Sequence, residues 1–258
     1  MKLSISNIAW SAEYDDEMYH FLNELGYCGL EIAPTRIFPE NPYKHNREAK
    51  SFAEMLRKIY NLDISSVQSL WYGRNENIFN SDDEREFLLD YTKKSVLFSE
   101  AAGCHNLVFG SPKNRNMPSS DSIQTAIDFF SEIGIFAANH NAVIAIEAIP
   151  QYYGTNLINT TQEAFDLCRQ INCDGFKVNL DLGTLVYNDE NIEVVTSNIN
   201  LVNHVHISEP MLANIEKREL HKHLKNLDYD GYFSIEMKNL NDIELVKRVV
   251  RYIKDVFV

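Results

Sequence analysis

The chain has 258 residues, 45% hydrophobic and 24% charged, which suits a globular enzyme built as one large α/β barrel or two smaller domains. A net charge of −13 with no basic cluster repels nucleic-acid phosphates and sets that class of partner aside. No run approaches membrane-spanning length, and the opening MKLSISNIAW is too short and too polar for a signal peptide.

Eight strand-like runs follow one another: Leu3–Ile8, Gly29–Ala33, Ile64–Gln68, Asn106–Gly110, Ala142–Ala148, Phe176–Asp181, Leu201–Ile207 and Tyr232–Glu236. Their spacing is that of βα units, and several are apolar on both faces, as parallel strands covered by helices must be. Between them lie stretches of helical periodicity. In Asp83–Ala102 the stripe is Phe87, Tyr91, Ser95, Phe98 and Ala102; Ser122–Asn139 and Asp242–Phe257 are similar. Ser81-Asp82-Asp83-Glu84 reads as a capping box, and Asn159-Thr160-Thr161-Gln162 as a second helix start. No linker or low-complexity tract breaks the series, so residues 1–258 are expected to form one (β/α)8 TIM barrel. A doubly wound sheet is the competitor, but no G-x-G-x-x-G follows the first strand. The four cysteines form no C-x-x-C pair; Cys28, Cys104 and Cys168 read as small buried thiols, and a reducing cytoplasm is expected.

The last four runs each carry one chemically unusual side chain near the carboxyl end: Glu147, Asp181, His206 and Glu236. Alternation puts them on the inward face with Ala145, Asn179, His204 and Ser234, while Ile146, Leu180, Val205 and Ile235 face helices. A one-residue slip would drive each charge into the apolar layer. Three carboxylates so close repel one another unless a cation neutralises them, so a divalent metal is expected. The oxygen-rich set with one nitrogen favours Mn²⁺, with Mg²⁺, Co²⁺ or Zn²⁺ also compatible. Taken singly, each residue has a plainer reading, as a helix cap, an ion-pair partner or a hydrogen-bonded core histidine. Four on consecutive strands do not.

Other residues follow strands on the same face. Lys113 and Arg115 are suited to a phosphate or carboxylate, or else to a solvated loop. Trp10, Trp71, Tyr72, Tyr152 and Tyr153 are suited to stacking on a sugar or to packing their loops. His204 reads as a core residue or as one that orients a neighbour. Lys177 is in principle a Schiff-base lysine, yet it lies about 13 Å down the strand from Asp181, towards the wrong end.

The pieces SNIAW, LVFGSPKNR, IEAIP with YYGTN, LDLGT, HVHISEP and DYDGYFSIEM resemble the sugar phosphate isomerase/epimerase family with the xylose-isomerase-like barrel. The resemblance spans nearly the whole chain. It implies Glu147, Asp181, His206 and Glu236 as metal ligands, Glu147 and Glu236 as the acid/base pair, and Glu209 and His221 near the substrate. The implied activity is isomerisation or epimerisation of a small sugar, sugar phosphate or keto-polyol, with homo-oligomers compatible. The chain departs from the pattern at Thr184, at Pro210–Ala213 and at Leu220, which bears on substrate identity. A metal- or sugar-binding barrel without catalysis and an endonuclease IV-like phosphodiesterase are the alternatives.

Overall fold

The computed structural model describes residues 1–119 and 122–257. Eight strands close into a barrel in chain order, every neighbouring pair parallel. In order the elements are β1 (Lys2–Ser6), α1 (Asp15–Glu24), β2 (Gly29–Ile32), α2 (Pro34–Ile37), α3 (Asn46–Tyr60), β3 (Asp63–Val67), α4 (Asp82–Ala101) and β4 (Asn106–Phe109). They continue with α5 (Ile123–Asn139), β5 (Val143–Glu147), α6 (Thr161–Ile171), β6 (Phe176–Asp181), α7 (Leu182–Tyr187), α8 (Glu193–Thr196), β7 (Val202–Ser208), α9 (Glu219–Lys225), β8 (Tyr232–Glu236) and α10 (Ile243–Phe257). This is the (β/α)8 barrel expected from the spacing. Among the described residues, no helix is long and apolar enough to cross a membrane.

Two layers of different chemistry follow from strand alternation. The outward residues Ile146, Leu180, Val205, Ile207, Phe233 and Ile235 are fully buried against the helices. The inward positions are polar: Ser4, Glu31, Ser66, Asn106, Asn179, His204, His206 and Ser234 are all buried in the barrel. Most such interiors are filled by branched apolar side chains. Here hydrogen bonds across the lumen replace them, as in Asn106 Nδ2 to Ser66 Oγ at 2.9 Å and Asn203 Nδ2 to Asn106 Oδ1 at 2.6 Å.

Two local readings shift. The helix start near residue 160 is a capping box of Thr160 with Glu163, one residue later than the predicted frame. The stripe predicted on α4 holds at Ser95, Phe98 and Ala102 and shifts in its first half, where Leu88 and Thr92 are buried, Phe87 is exposed and Tyr91 is half-buried. Small residues let this helix lie close to the sheet, and their hydroxyls stay bonded, Thr92 Oγ1 to Leu88 O and Ser95 Oγ to Thr92 O, both at 2.7 Å. Phe87 and Tyr91 instead stack on each other at the rim, ring centroids 6.1 Å apart. Lys177 lies towards the amino end of β6, 4.0 Å from Asp174.

Candidate metal centre

Glu147, Asp181 and Glu236 are the last residues of their strands, and His206 sits two residues before the end of β7. Potential ligand atoms from all four lie within 4.8 Å of one another. His206 Nδ1 is 3.0 Å from Glu147 Oε1 and 3.1 Å from Glu236 Oε2. Its other nitrogen, Nε2, is 2.9 Å from Glu31 Oε2. With a cation bound, an Nε2–H donated to Glu31 would leave the Nδ1 lone pair free to ligate, the arrangement that fixes a ligating histidine in one tautomer.

Further contacts hold the carboxylates. Asn179 donates Nδ2 to Glu147 Oε1 at 2.8 Å. The Ser208 hydroxyl donates to Asp181 Oδ2, while Asp181 Oδ1 accepts the Thr184 N–H at 2.6 Å. Asp181 thus also caps α7. Gly110 leaves Glu147 its space, since a Cβ there would stand 2.9 Å from Glu147 Oε2. Below, His204 Nε2 lies 3.0 Å from the same Glu31 oxygen that His206 uses, in a contact too poorly angled for a full hydrogen bond. Glu31 Oε1 accepts from Gln68 Nε2 at 3.1 Å.

Burial pushes Asp181 up to about 6, with the Glu147 charge adding to it. Burial likewise pushes Glu236 up to about 7, against the pull of His206. For His206 burial disfavours the cation, but the Glu236 and Glu31 charges and the bonds to Glu147 and Glu236 lift it well above the ordinary value. Burial opposes the charge on Glu31 too, yet the neighbouring His206 holds that carboxyl below the usual range. Two carboxyls that resist ionisation beside an imidazole that gathers protons are the signature of excess negative charge. A divalent cation removes it, and three oxygens with one nitrogen form a compatible donor set.

Glu147, Asp181 and Glu236 border a cavity of about 250 Å³ on the carboxyl side of the barrel, lined also by Gln68, Tyr153, Thr184, Glu209 and Leu212, while His206 is itself fully buried. Among the described residues, its lining contains no lysine or arginine. Tyr153 is there as predicted, its hydroxyl accepting the Met211 N–H at 2.6 Å. Glu209 is there too, but Arg218 Nε binds its Oε1 at 2.6 Å and the guanidinium reaches its second oxygen.

Other predicted residues are placed elsewhere. Arg115 is wholly buried and donates Nη2 to the Glu147 carbonyl oxygen at 2.9 Å, beneath the site. Burial lowers its guanidinium to about 10. Trp10 is buried and donates to Asp15 Oδ1 at 2.8 Å. Trp71 is buried and donates to Thr92 Oγ1 at 2.9 Å. His221 is buried with Nδ1 at 3.0 Å from the Tyr252 hydroxyl, and burial lowers it to about 4. Tyr72 and Tyr152 are exposed, and Lys113 is exposed on a neighbouring cavity. The residues not singled out in the sequence are Glu31, Asn179, Ser208 and Arg218. An acidic residue in the apolar run Gly29–Ala33 was the one visible sign of Glu31.

Solved structures similar to the chain include three sugar epimerases. The 3-keto-D-glucoside 4-epimerase of E. coli is 18% identical, covers 99% of both chains and has a TM-score of 0.78. The D-psicose 3-epimerase of Clostridium cellulolyticum H10, solved with D-tagatose, is 17% identical over 100% of this chain and 98% of the other, TM-score 0.78. The D-allulose 3-epimerase of Methylomonas sp., solved with D-allulose, is 16% identical over 99% and 96%, TM-score 0.74. At these identities the likeness shows the fold. No curated protein matches the sequence. The family model described as the xylose isomerase-like TIM barrel matches residues 19–256, and the chain belongs to that family.

Proposed function

We propose that this protein is a divalent-metal-dependent isomerase or epimerase of a small sugar, sugar phosphate or related keto-polyol, its whole length one barrel domain. The observation that carries this reading is the meeting of Glu147, Asp181, His206 and Glu236 within 4.8 Å, with the three carboxylates lining a cavity of about 250 Å³. The epimerase neighbours support it through their shared fold. Mn²⁺ is the favoured ion.

When bound, the cation supplies the positive charge that makes a C–H next to a carbonyl acidic and stabilises the resulting oxyanion. The remaining work belongs to side chains. Glu147 on β5 and Glu236 on β8 enter the site from different strands, with His206 Nδ1 between them at 3.0 and 3.1 Å. Two carboxylates placed so can address opposite faces of one carbon. One removes the proton and the other returns it for epimerisation; return to the adjacent carbon gives aldose–ketose exchange. Asn179 orients Glu147, and Ser208 with the Thr184 N–H orients Asp181. Arg218 offsets the charge of Glu209. Glu209 and Tyr153 then offer a carboxylate and a phenol to sugar hydroxyls from the wall. A multi-zinc phosphodiesterase has less support, because the cavity lining offers no further histidine among the described residues.

The test pairs two measurements. Metal analysis of the purified protein should give about one divalent ion per chain, lost in Glu147→Gln. Incubation of the loaded protein with ketoses in deuterated water should place deuterium beside the carbonyl. Metal uptake identical in the two proteins refutes the centre; tight sugar binding without exchange supports a binding protein instead.

A further inference from the structure

A second cavity of about 370 Å³ opens beside the first and shares Ser69, Ser111 and Pro112 with it. The two differ in charge. The inner lining carries the carboxylates of Glu147, Asp181, Glu209 and Glu236 and, among the described residues, no cation. The outer lining carries Arg74 and Lys113 and, among the described residues, no carboxylate. Cations nearby on α4 are paired, Arg85 with Asp82 and Lys93 with Glu132, whereas Arg74 and Lys113 make no such pair among the described residues. Arg74 Nε is buried without a hydrogen-bond partner. Glu76, two residues after Arg74, turns back on its own loop to accept the Asn75 N–H at 3.0 Å.

The walls of this cleft are tied together. Asn114 donates Nδ2 to the carbonyls of Arg74 at 3.2 Å and Glu76 at 2.7 Å. Asn77 Nδ2 binds the Lys113 carbonyl at 3.3 Å, and the Ile78 N–H binds that of Asn114 at 3.1 Å. The Arg74 guanidinium lies 5.4 Å from the Tyr91 ring centre and 6.0 Å from that of Phe87. At the junction of the cavities Ser69 and Ser111 both adopt left-handed backbone, φ 56° and 46°, a conformation serine rarely takes and one that clusters at ligand sites. An exposed pair of lysine and arginine on a mobile loop would need none of these restraints.

We propose that this cleft binds an oxyanion, phosphoryl or carboxylate, on the end of the substrate remote from the metal centre. The substrate is then an anionic sugar derivative whose neutral polyol end enters the inner cavity. This rests on the sugar isomerase or epimerase reading for the inner cavity, while the anion subsite is separately measurable. Arg74 and Lys113 are substrate-binding residues in this scheme, and an unpaired guanidinium and ammonium suit an oxyanion in a way that neutral sugar hydroxyls do not require.

The experiment has two arms. In the first, deuterium exchange is followed for D-fructose, D-fructose 6-phosphate and the C6-carboxylate of D-fructose. The wild type should favour one anionic sugar over the neutral one by about tenfold or more in kcat/KM, and the double variant Arg74→Gln with Lys113→Gln should erase most of that preference through KM. Preference for the phosphate or for the carboxylate identifies the anion. In the second arm, calorimetry with inorganic phosphate should show binding that the double variant weakens and Glu147→Gln retains. That result upholds the subsite even if no sugar exchanges deuterium, in which case the inner-cavity function fails alone. An unchanged anionic-to-neutral ratio in the double variant, or phosphate affinity indifferent to it, overturns the subsite.

Discussion

His206 is gripped at both ring nitrogens, by Glu31 behind and by Glu147 and Glu236 in front. With a cation bound, the hydrogen bond from behind would decide which nitrogen presents a lone pair, so Glu31 would act on the metal without touching it. Glu31→Gln removes the charge that supports the imidazole and keeps the shape. Its Mn²⁺ dissociation constant should rise about tenfold or more by calorimetric titration, with the far-ultraviolet circular dichroism spectrum preserved. An unchanged constant would show that His206 is oriented by other contacts. The convergence of Glu147, Asp181, His206 and Glu236 was legible because each stands at or near the end of an apolar run whose alternation leaves one possible face. Glu31 was not, because its partner lies 175 residues away and only barrel closure brings them together. Lys113 and Arg115 are two residues apart, yet the turn at Pro112–Asn114 leaves one outside and buries the other beneath β5.

At the level of elements, the site depends on how closely helices approach the strands that carry the donors. β6, which ends in Asp181, begins after Gly175, and a Cβ there would meet the Gly134 carbonyl oxygen of α5 at 2.0 Å and the Ala138 nitrogen at 2.6 Å. Backbone atoms cannot step aside as a flexible side chain can. Gly175→Ala should therefore cost about 1–3 kcal/mol, the usual penalty of overpacking, read as a lower urea midpoint. A midpoint equal to wild type would mean that α5 can slide. α6 starts with a complete box of Thr160 and Glu163. Thr160→Ala should cost about 1 kcal/mol in the same assay. The helices themselves were readable from periodicity and caps. The first half of α4 was not, since choosing Leu88 and Thr92 over Phe87 and Tyr91 as its buried face depends on how near the sheet lies.

For the whole molecule the governing quantity is charge gathered at one end of the barrel. Asp181 is raised to about 6, Glu236 to about 7, and His206 well above its ordinary value. In the metal-free fold each holds its proton more tightly than in the unfolded chain. Each therefore favours folding below its unfolded pKa, and that contribution is lost as pH climbs through the folded value. Metal binding needs all three deprotonated, so protons compete with the cation at low pH. The gain in Tm from a fixed excess of Mn²⁺ should be larger at about pH 7.5 than at about pH 5.5, reaching several degrees where the ion is at about a hundred times its dissociation constant. Scanning calorimetry with and without Mn²⁺ checks this, and equal gains at the two pH values contradict it.

The residue pattern by itself determined the barrel, the register of β5 to β8 and the inward placement of Glu147, Asp181, His206 and Glu236, because strand alternation and the cost of burying charge in an apolar layer are local constraints. Only the closed structure decided which loop residues reach the cavity, that Glu31 stands behind His206, that Arg218 pairs with Glu209, and that an acidic inner wall passes into a cationic cleft. Those relations join residues far apart along the chain, and they exist once the last strand has paired with the first.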